Sequence, residues 1–315
     1  MRFLFLIILP VFLAACEKGG RGLGKDSGAH GEEAYAITEK ILSFGPRPPE
    51  SEALANVRRY VTEELEKANW DVQEQTFKRK TFVGEKQFTN LIARYKSGAG
   101  NDLWQKPIAG VLCAHIDSKL IPGKEFLGAD DAASSCAAIV QMARVLHETD
   151  PKSAAQLELV FFDGEEAFAE NLSLQKRYGL YGSWAYAARW RLQDGPLPKF
   201  GLLLDMVGHK DLKIALPSDS PRELAKSLLA SAAAEGGADI VKMGTVAILD
   251  DHVPLNLAGI PTVDMIGDFS STDWWHTEKD NLDIISAKSL DFSIRVALRF
   301  LEEQLEVRGL EAQSE

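Results

Sequence analysis

The chain has 315 residues, 45% of them hydrophobic and 26% charged, with a formal net charge of -11 at neutral pH. That length and mix allow one domain with a sizeable core. The negative balance repels nucleic acid and disfavours electrostatic docking on anionic lipid, which leaves small molecules or peptides as the favoured partners.

At the N-terminus, Arg2 precedes an apolar run from Phe3 to Ala15. The run is shorter than the roughly 20 residues that cross a bilayer and has the size of a signal-peptide core, so it predicts export. It ends in Leu13-Ala14-Ala15-Cys16, which resembles the lipobox of bacterial lipoproteins. The resemblance implies cleavage before Cys16, a diacylglyceryl thioether on its sulfur, and an exported lipoprotein of the cell envelope facing the periplasm. Residues 1–15 are then the signal peptide, 16–31 a glycine-rich flexible tether, 32–309 the folded domain and 310–315 a disordered tail.

Within the domain, Ala34 to Phe44 and Glu52 to Ala68 read as amphipathic helices around the turn Gly45-Pro46-Arg47-Pro48-Pro49, and Asp71 to Phe82 as an extended strand. Phe88 to Tyr95, Ile108 to Ile116, Leu157 to Phe162, Gly201 to Met206 and Pro261 to Ile266 read as further strands, several apolar enough to be buried on both faces. Ala132 to His147, Tyr181 to Trp190, Pro221 to Gly236 and Ala287 to Arg308 read as helices. This alternation predicts a single α/β domain with a mixed, mostly parallel central sheet and helices on both faces. Cys113 and Cys136 are equally readable as a pair or as two buried thiols, because sequence does not show whether their geometry fits a bridge.

In such sheets ligands bind at the carboxyl ends of the strands, and polar residues collect there. One strand ends in His115-Ile116-Asp117, the next in Asp163-Gly164-Glu165-Glu166, another in Asp205, and Pro261 to Ile266 leads to Trp274-Trp275-His276. Gly128-Ala129-Asp130-Asp131 adds two carboxylates just before a helix. Each has a bland alternative: His115 as a structural histidine, Asp130 or Asp131 as a helix N-cap, Asp205 in a turn, the tryptophans in the core. Together they form one rim. Asp131, Glu166 and His276 supply the oxygen and nitrogen donors of a catalytic zinc site with an open fourth position. Calcium would take more oxygens and no histidine. Adjacent carboxylates at a strand end point apart, so Glu166 can bind metal while Glu165 moves protons.

These residues carry a family resemblance. The segments His115-Ile116-Asp117-Ser118-Lys119, Gly128-Ala129-Asp130-Asp131, Phe161-Phe162-Asp163-Gly164-Glu165-Glu166-Ala167-Phe168, Leu180-Tyr181-Gly182-Ser183, Leu204-Asp205-Met206-Val207-Gly208, Asp250-Asp251-His252-Val253-Pro254 and Trp275-His276-Thr277 resemble those of zinc-dependent glutaminyl cyclases. That family shares its fold with the co-catalytic zinc aminopeptidases. The resemblance implies one zinc on Asp131, Glu166 and His276, Glu165 as general acid/base, Asp205 and Asp250 as an acidic network beside it, and Trp275 as a wall of the substrate pocket. The implied reaction turns the N-terminal glutamine of a peptide into pyroglutamate with release of ammonia. The alternative is a dinuclear aminopeptidase, in which His115 and Asp205 bind a second zinc and Asp131 bridges. Against it, Ala132 stands where those peptidases carry asparagine. A non-catalytic peptide-binding lipoprotein is a third reading, and it should have lost the base or a ligand.

Three departures from the animal-type cyclases bear on the pocket. No tryptophan occurs in Ala169-Glu170-Asn171-Leu172, Cys113 is displaced by one residue from the family's bridging cysteine, and Asp264 replaces a histidine. A one-residue slip on a strand reverses the face, which argues against a Cys113–Cys136 bridge.

Overall fold

The computed structural model describes residues 29–98, 102–166, 168, 172, 178–192, 195–270 and 272–311, with side chains to residue 306. The predicted signal-peptide run, Cys16 and most of the predicted tether lie outside these residues, as do Ala169 to Asn171 and the last four residues of the predicted tail. The tether's last three residues are not free: α1 spans Ala29–Leu42 and begins with them, because Gly31 packs tightly against Ala287.

Six strands form the central sheet in the order β1-β2-β4-β3-β5-β8. β1 (Trp70–Thr81) and β2 (Gly84–Tyr95) make a long antiparallel hairpin, and β2 pairs antiparallel with β4 (Leu157–Phe162). β3 (Gly110–His115), β4, β5 (Phe200–Asp205) and β8 (Thr262–Ile266) run parallel. The sheet is therefore mixed, with a parallel half that carries the strand-end residues. Strand β2 begins at Gly84 rather than Phe88, because its polar first half pairs with β1 beyond the buried part of the sheet. A separate pair, β6 (Ile214–Leu216) and β7 (Val241–Met243), is too short to leave a periodic signal in sequence.

The predicted double burial is real. Alternate residues of the parallel strands enter two cores: Leu112, Ala114, Leu159, Phe161, Leu202 and Leu204 on one side, and Val111, Cys113, Val160, Phe162 and Leu203 on the other. The first face is covered by α1, α2 (Glu52–Lys67), α3 (Ser135–Thr149), α6 (Arg222–Ala234) and α8 (Ala287–Glu311). The second is covered by α5 (Tyr181–Leu192) and α7 (His252–Leu257), and a single turn of helix, α4 (Pro151–Ala154), precedes β4. Each fully buried Leu or Phe contributes about 1.5–3 kcal/mol relative to exposure, so the two cores fix the strands tightly. Helix α2 starts where Ser51 Oγ accepts the Leu54 amide, an N-cap of the usual kind. Helix α8 runs to Glu311, two residues into the predicted tail. Among the described residues no helix is long and apolar enough to cross a membrane.

Candidate metal centre

The rim is assembled by backbone constraints that the sequence makes possible. Gly128 takes φ +59°, and a Cβ there would meet the Asp131 carbonyl oxygen at 2.0 Å, so only glycine lets the Ala129–Ser134 turn fold back. Gly164 takes φ +79° against the Phe88 ring, which turns the chain between Asp163 and the glutamate pair. Arg47, fully buried, donates to the carbonyls of Ile116, Leu127 and Gly128 and so ties the β3 exit to that turn. Asp280 holds the turn from the other side: its Oδ1 accepts the Asp130 amide at 2.7 Å and its Oδ2 the Asp131 amide at 3.3 Å.

Two donor sets result, and they share Asp131. In the first, His276 Nε2 lies 3.1 Å from Glu166 Oε1 and 3.5 Å from Asp131 Oδ2. In the second, His115 Nε2 lies 3.0 Å from Asp131 Oδ1 and 3.4 Å from Asp205 Oδ1. The electrostatics follow from this crowding. Burial favours neutral imidazole, but Asp131 and Glu166 outweigh it and push His276 up to about 9. His115 is likewise raised against its own burial by Asp117, Asp131 and Asp205. Burial should raise Asp131, yet its two imidazole partners hold it well below the usual carboxylate range. Asp205 ends raised, burial outweighing His115.

Zinc fits these donors. Asp205 Oδ1 sits near His115 Nε2 but out of line for a hydrogen bond, and it has no partner among the described residues; the same is true of His115 Nδ1 and its neighbour Asp117 Oδ2. Buried, unsatisfied donor atoms of this kind are costly unless a cation or water completes them. Five carboxylates, Asp131, Glu165, Glu166, Asp205 and Asp250, line one cavity of about 350 Å³, with Lys119 the one lysine or arginine among its described lining residues. Nitrogen and oxygen donors compensating such a deficit suit a divalent, borderline-soft ion.

Beside the donors stand the candidate acid/base groups. Glu165 is buried and is pushed well above the usual carboxylate range, first by burial and then by Glu166. Its backbone amide donates to Asp117 Oδ1 at 3.2 Å. Asp250 is also raised, by burial and then by Asp264 and Asp205. Asp264 Oδ2 lies 3.3 Å from His252 Nδ1, so the Asp250-Asp251-His252 segment and β8 share one buried polar cluster. Trp275 is 37% exposed and stacks on His276, ring centroids 3.9 Å apart, and on Phe269 at 4.7 Å. The apolar wall of the cavity continues through Ile248, Leu249 and Ile266.

Every expected site residue reaches this rim: Asp131, Glu165, Glu166, Asp205, Asp250, Trp275 and His276 line the cavity, and His115 lies just beneath. Asp130 is no N-cap; its Oδ1 accepts the Gly208 amide at 2.7 Å, clamping β5's exit to the ligand turn. Cys113 and Cys136 are both free and buried, Cys136 Sγ lying 3.0 Å from the His115 carbonyl oxygen. Sequence reasoning missed Arg47, Asp280 and the contact of Lys119 with Glu166 Oε2 at 3.1 Å. The arginine did leave a trace, since a charge set among prolines in an apolar context is unusual for a plain turn.

A mixed sheet with histidine and carboxylate donors at its parallel strand ends defines a zinc-exopeptidase type of α/β protein. Residues 90–301 match the model of peptidase family M28, and the chain belongs to that family. Within it, the chain is 31% identical over 283 residues to the glutaminyl-peptide cyclotransferase of Drosophila melanogaster, a span covering 81% of this chain and 76% of that protein. Among solved structures it is similar to an Acidobacteriales bacterium glutaminyl cyclase, with 29% identity and a TM-score of 0.76 over 87% of this chain and 94% of that one. The Porphyromonas gingivalis glutaminyl cyclase matches equally well, at 29% identity and TM-score 0.76 over 87% and 98%.

Proposed function

We propose that this chain is a glutaminyl-peptide cyclotransferase, acting on peptides or proteins with an N-terminal glutamine. The observation that carries the reading is the 31% identity to a glutaminyl-peptide cyclotransferase over 81% of this chain, and the Asp-Asp-His-Val-Pro segment accords with it by delivering the buried Asp250 carboxyl to the same cavity as Glu165. Asp131, Glu166 and His276 would hold one zinc, which supplies a Lewis acid for the γ-amide carbonyl. The remaining chemistry falls to the chain's own groups. The substrate's α-amine and γ-amide belong to one residue, so binding in a bent conformation makes attack intramolecular, an advantage that can reach about 7–11 kcal/mol. Trp275, Phe269 and Ile266 pack against that residue and exclude water, which the reaction does not consume. Glu165 takes a proton from the attacking amine and returns it to the departing nitrogen. The new C–N bond closes a five-membered lactam as the γ C–N bond breaks and ammonia leaves. Burial, then Glu166, with Asp250 and Asp251 behind it, keeps the proton affinity of Glu165 high, and Asp205 borders the same cavity.

A dinuclear aminopeptidase is the second reading, favoured by one observation: the His115, Asp131 and Asp205 set is complete. Purified protein offered a glutaminyl peptide and an alanyl peptide separates the two. The cyclase releases ammonia from the first and leaves the second intact; free amino acid, with two zinc ions per chain, would overturn it. We further propose that the protein is an exported lipoprotein anchored through Cys16, on the strength of the Leu13-Ala14-Ala15-Cys16 segment. Metabolic labelling with a fatty-acid analogue, lost in Cys16→Ala, tests this.

A further inference from the structure

We propose that Lys119 is a positioning residue that restricts the metal ligand Glu166 to one coordinating oxygen, a role that rests on Asp131, Glu166 and His276 being the zinc set. The two oxygens of Glu166 are divided between different partners. Oε1 faces His276 Nε2 at 3.1 Å, on the side of the donor set, while Oε2 accepts from the Lys119 ammonium at 3.1 Å. Lys119 is only 8% exposed, so its charge is held out of water against a carboxylate, and a buried ammonium so placed does not leave its partner freely.

The fold fixes this division. Lys119 lies four residues beyond His115, on the segment that leaves β3, and the backbone of that segment is clamped where Ser118 Oγ accepts the Arg47 amide at 3.0 Å. Glu166 arrives from the neighbouring strand, β4, whose register with β3 sets His115 opposite Phe162. Lysine and glutamate therefore meet through two rigid strand exits rather than through a mobile surface pair.

The chemical consequence is a low coordination number. A carboxylate left to itself can chelate a cation through both oxygens, filling a position that a catalytic site keeps open. With Oε2 committed to Lys119, Asp131, Glu166 and His276 present three donor atoms and leave the cavity side for the substrate. Outer partners of ligands act in this way in metal sites generally, and their loss costs about 10–100-fold in activity or metal affinity.

The test uses the cobalt(II)-loaded protein, because the visible absorption of cobalt weakens as its coordination rises from four to five. Lys119→Met keeps the buried stem and removes the charge; Lys119→Leu, likewise without a donor and read against the same expectation, is the second variant should the first not fold. The expected result for Lys119→Met is a weakened visible band with cobalt stoichiometry unchanged, and kcat for a glutaminyl peptide lowered about 10–100-fold with KM within about twofold. Lys119→Arg restores part of both. A cobalt spectrum in Lys119→Met identical to that of the parent overturns the proposal even where activity falls, since Lys119 then acts on the substrate itself. Failure of the parent to release ammonia overturns the cyclase reading instead, and leaves the spectral comparison standing.

Discussion

The two donor sets that share Asp131 are built differently. His115 and Asp205 sit at the ends of β3 and β5, His115 enclosed beneath the cavity that Asp205 lines, with Asp117 Oδ1 3.6 Å from His115 Nδ1. Glu166 and His276 come from the chain beyond β4 and β8, and His276 takes φ +55° on its loop, a left-handed conformation that only a well-determined surrounding maintains. The strand-borne set keeps its histidine beneath the cavity; the loop-borne set presents its histidine to the cavity and carries Lys119 and Trp275 at its edge. Five candidate donors brought together therefore do not fix a metal count. What separates the sets is which histidine faces the cavity.

The largest expected difference comes from cutting one histidine of each set. His276→Ala should leave bound zinc far below one per chain and ammonia release at background, whereas His115→Ala should keep its zinc and lose about 10–100-fold in turnover, as an outer-sphere change does. Metal analysis of dialysed protein with an ammonia assay reads both. Equal zinc losses from the two variants would make the site dinuclear.

Glu165→Gln comes next. It keeps shape and removes the proton acceptor, so kcat should fall about 10²- to 10⁴-fold with zinc content and KM held. The carboxyl belongs to neither donor set, and retention of full activity would remove it from the mechanism.

Chelation tests the coupling of the loop-borne set to stability. Zinc present at about a thousandfold over its dissociation constant contributes about 4.1 kcal/mol to the folded state. At about 2–4 °C per kcal/mol for a domain of 150–250 residues, and less for this larger one, its removal should lower Tm by roughly 8 °C at most. Calorimetry with and without chelator measures this, and His276→Ala should no longer respond.

The parallel core was legible because strands such as Leu157–Phe162 are apolar on both faces, and the donors were legible because each sits where such a run stops. The hairpin's outer half, Gly84 to Gln87, was not, since it is exposed and carries no period-two burial. The segment from Lys210 to Leu249 was only partly read, as β6 and β7 have three residues each. At the site, Arg47 and Asp280 escaped notice for a common reason. They act on backbone carbonyls and amides, and such partners leave no matching residue type in the sequence.

The smallest effect probes the strand-borne set from behind. Asp117 has two duties: its Oδ1 accepts the Glu165 amide, and the same atom stands beside His115 Nδ1. Asp117→Asn keeps an oxygen for the amide, so Glu165 stays in place, but it removes the negative charge that steadies His115. If His115 binds no metal, it acts on turnover only through Asp131, and Asp117 stands one step further out. Zinc content should then stay at one per chain, and activity should fall less than the 10-fold at which outer-sphere effects on true ligands begin. If His115 does bind metal, the same substitution weakens a ligand by removing the charge beside it, and part of the bound zinc should dialyse away. One conservative substitution, read by metal content rather than rate, thus decides whether the strand-borne donors form a second metal site or a buried brace for the first.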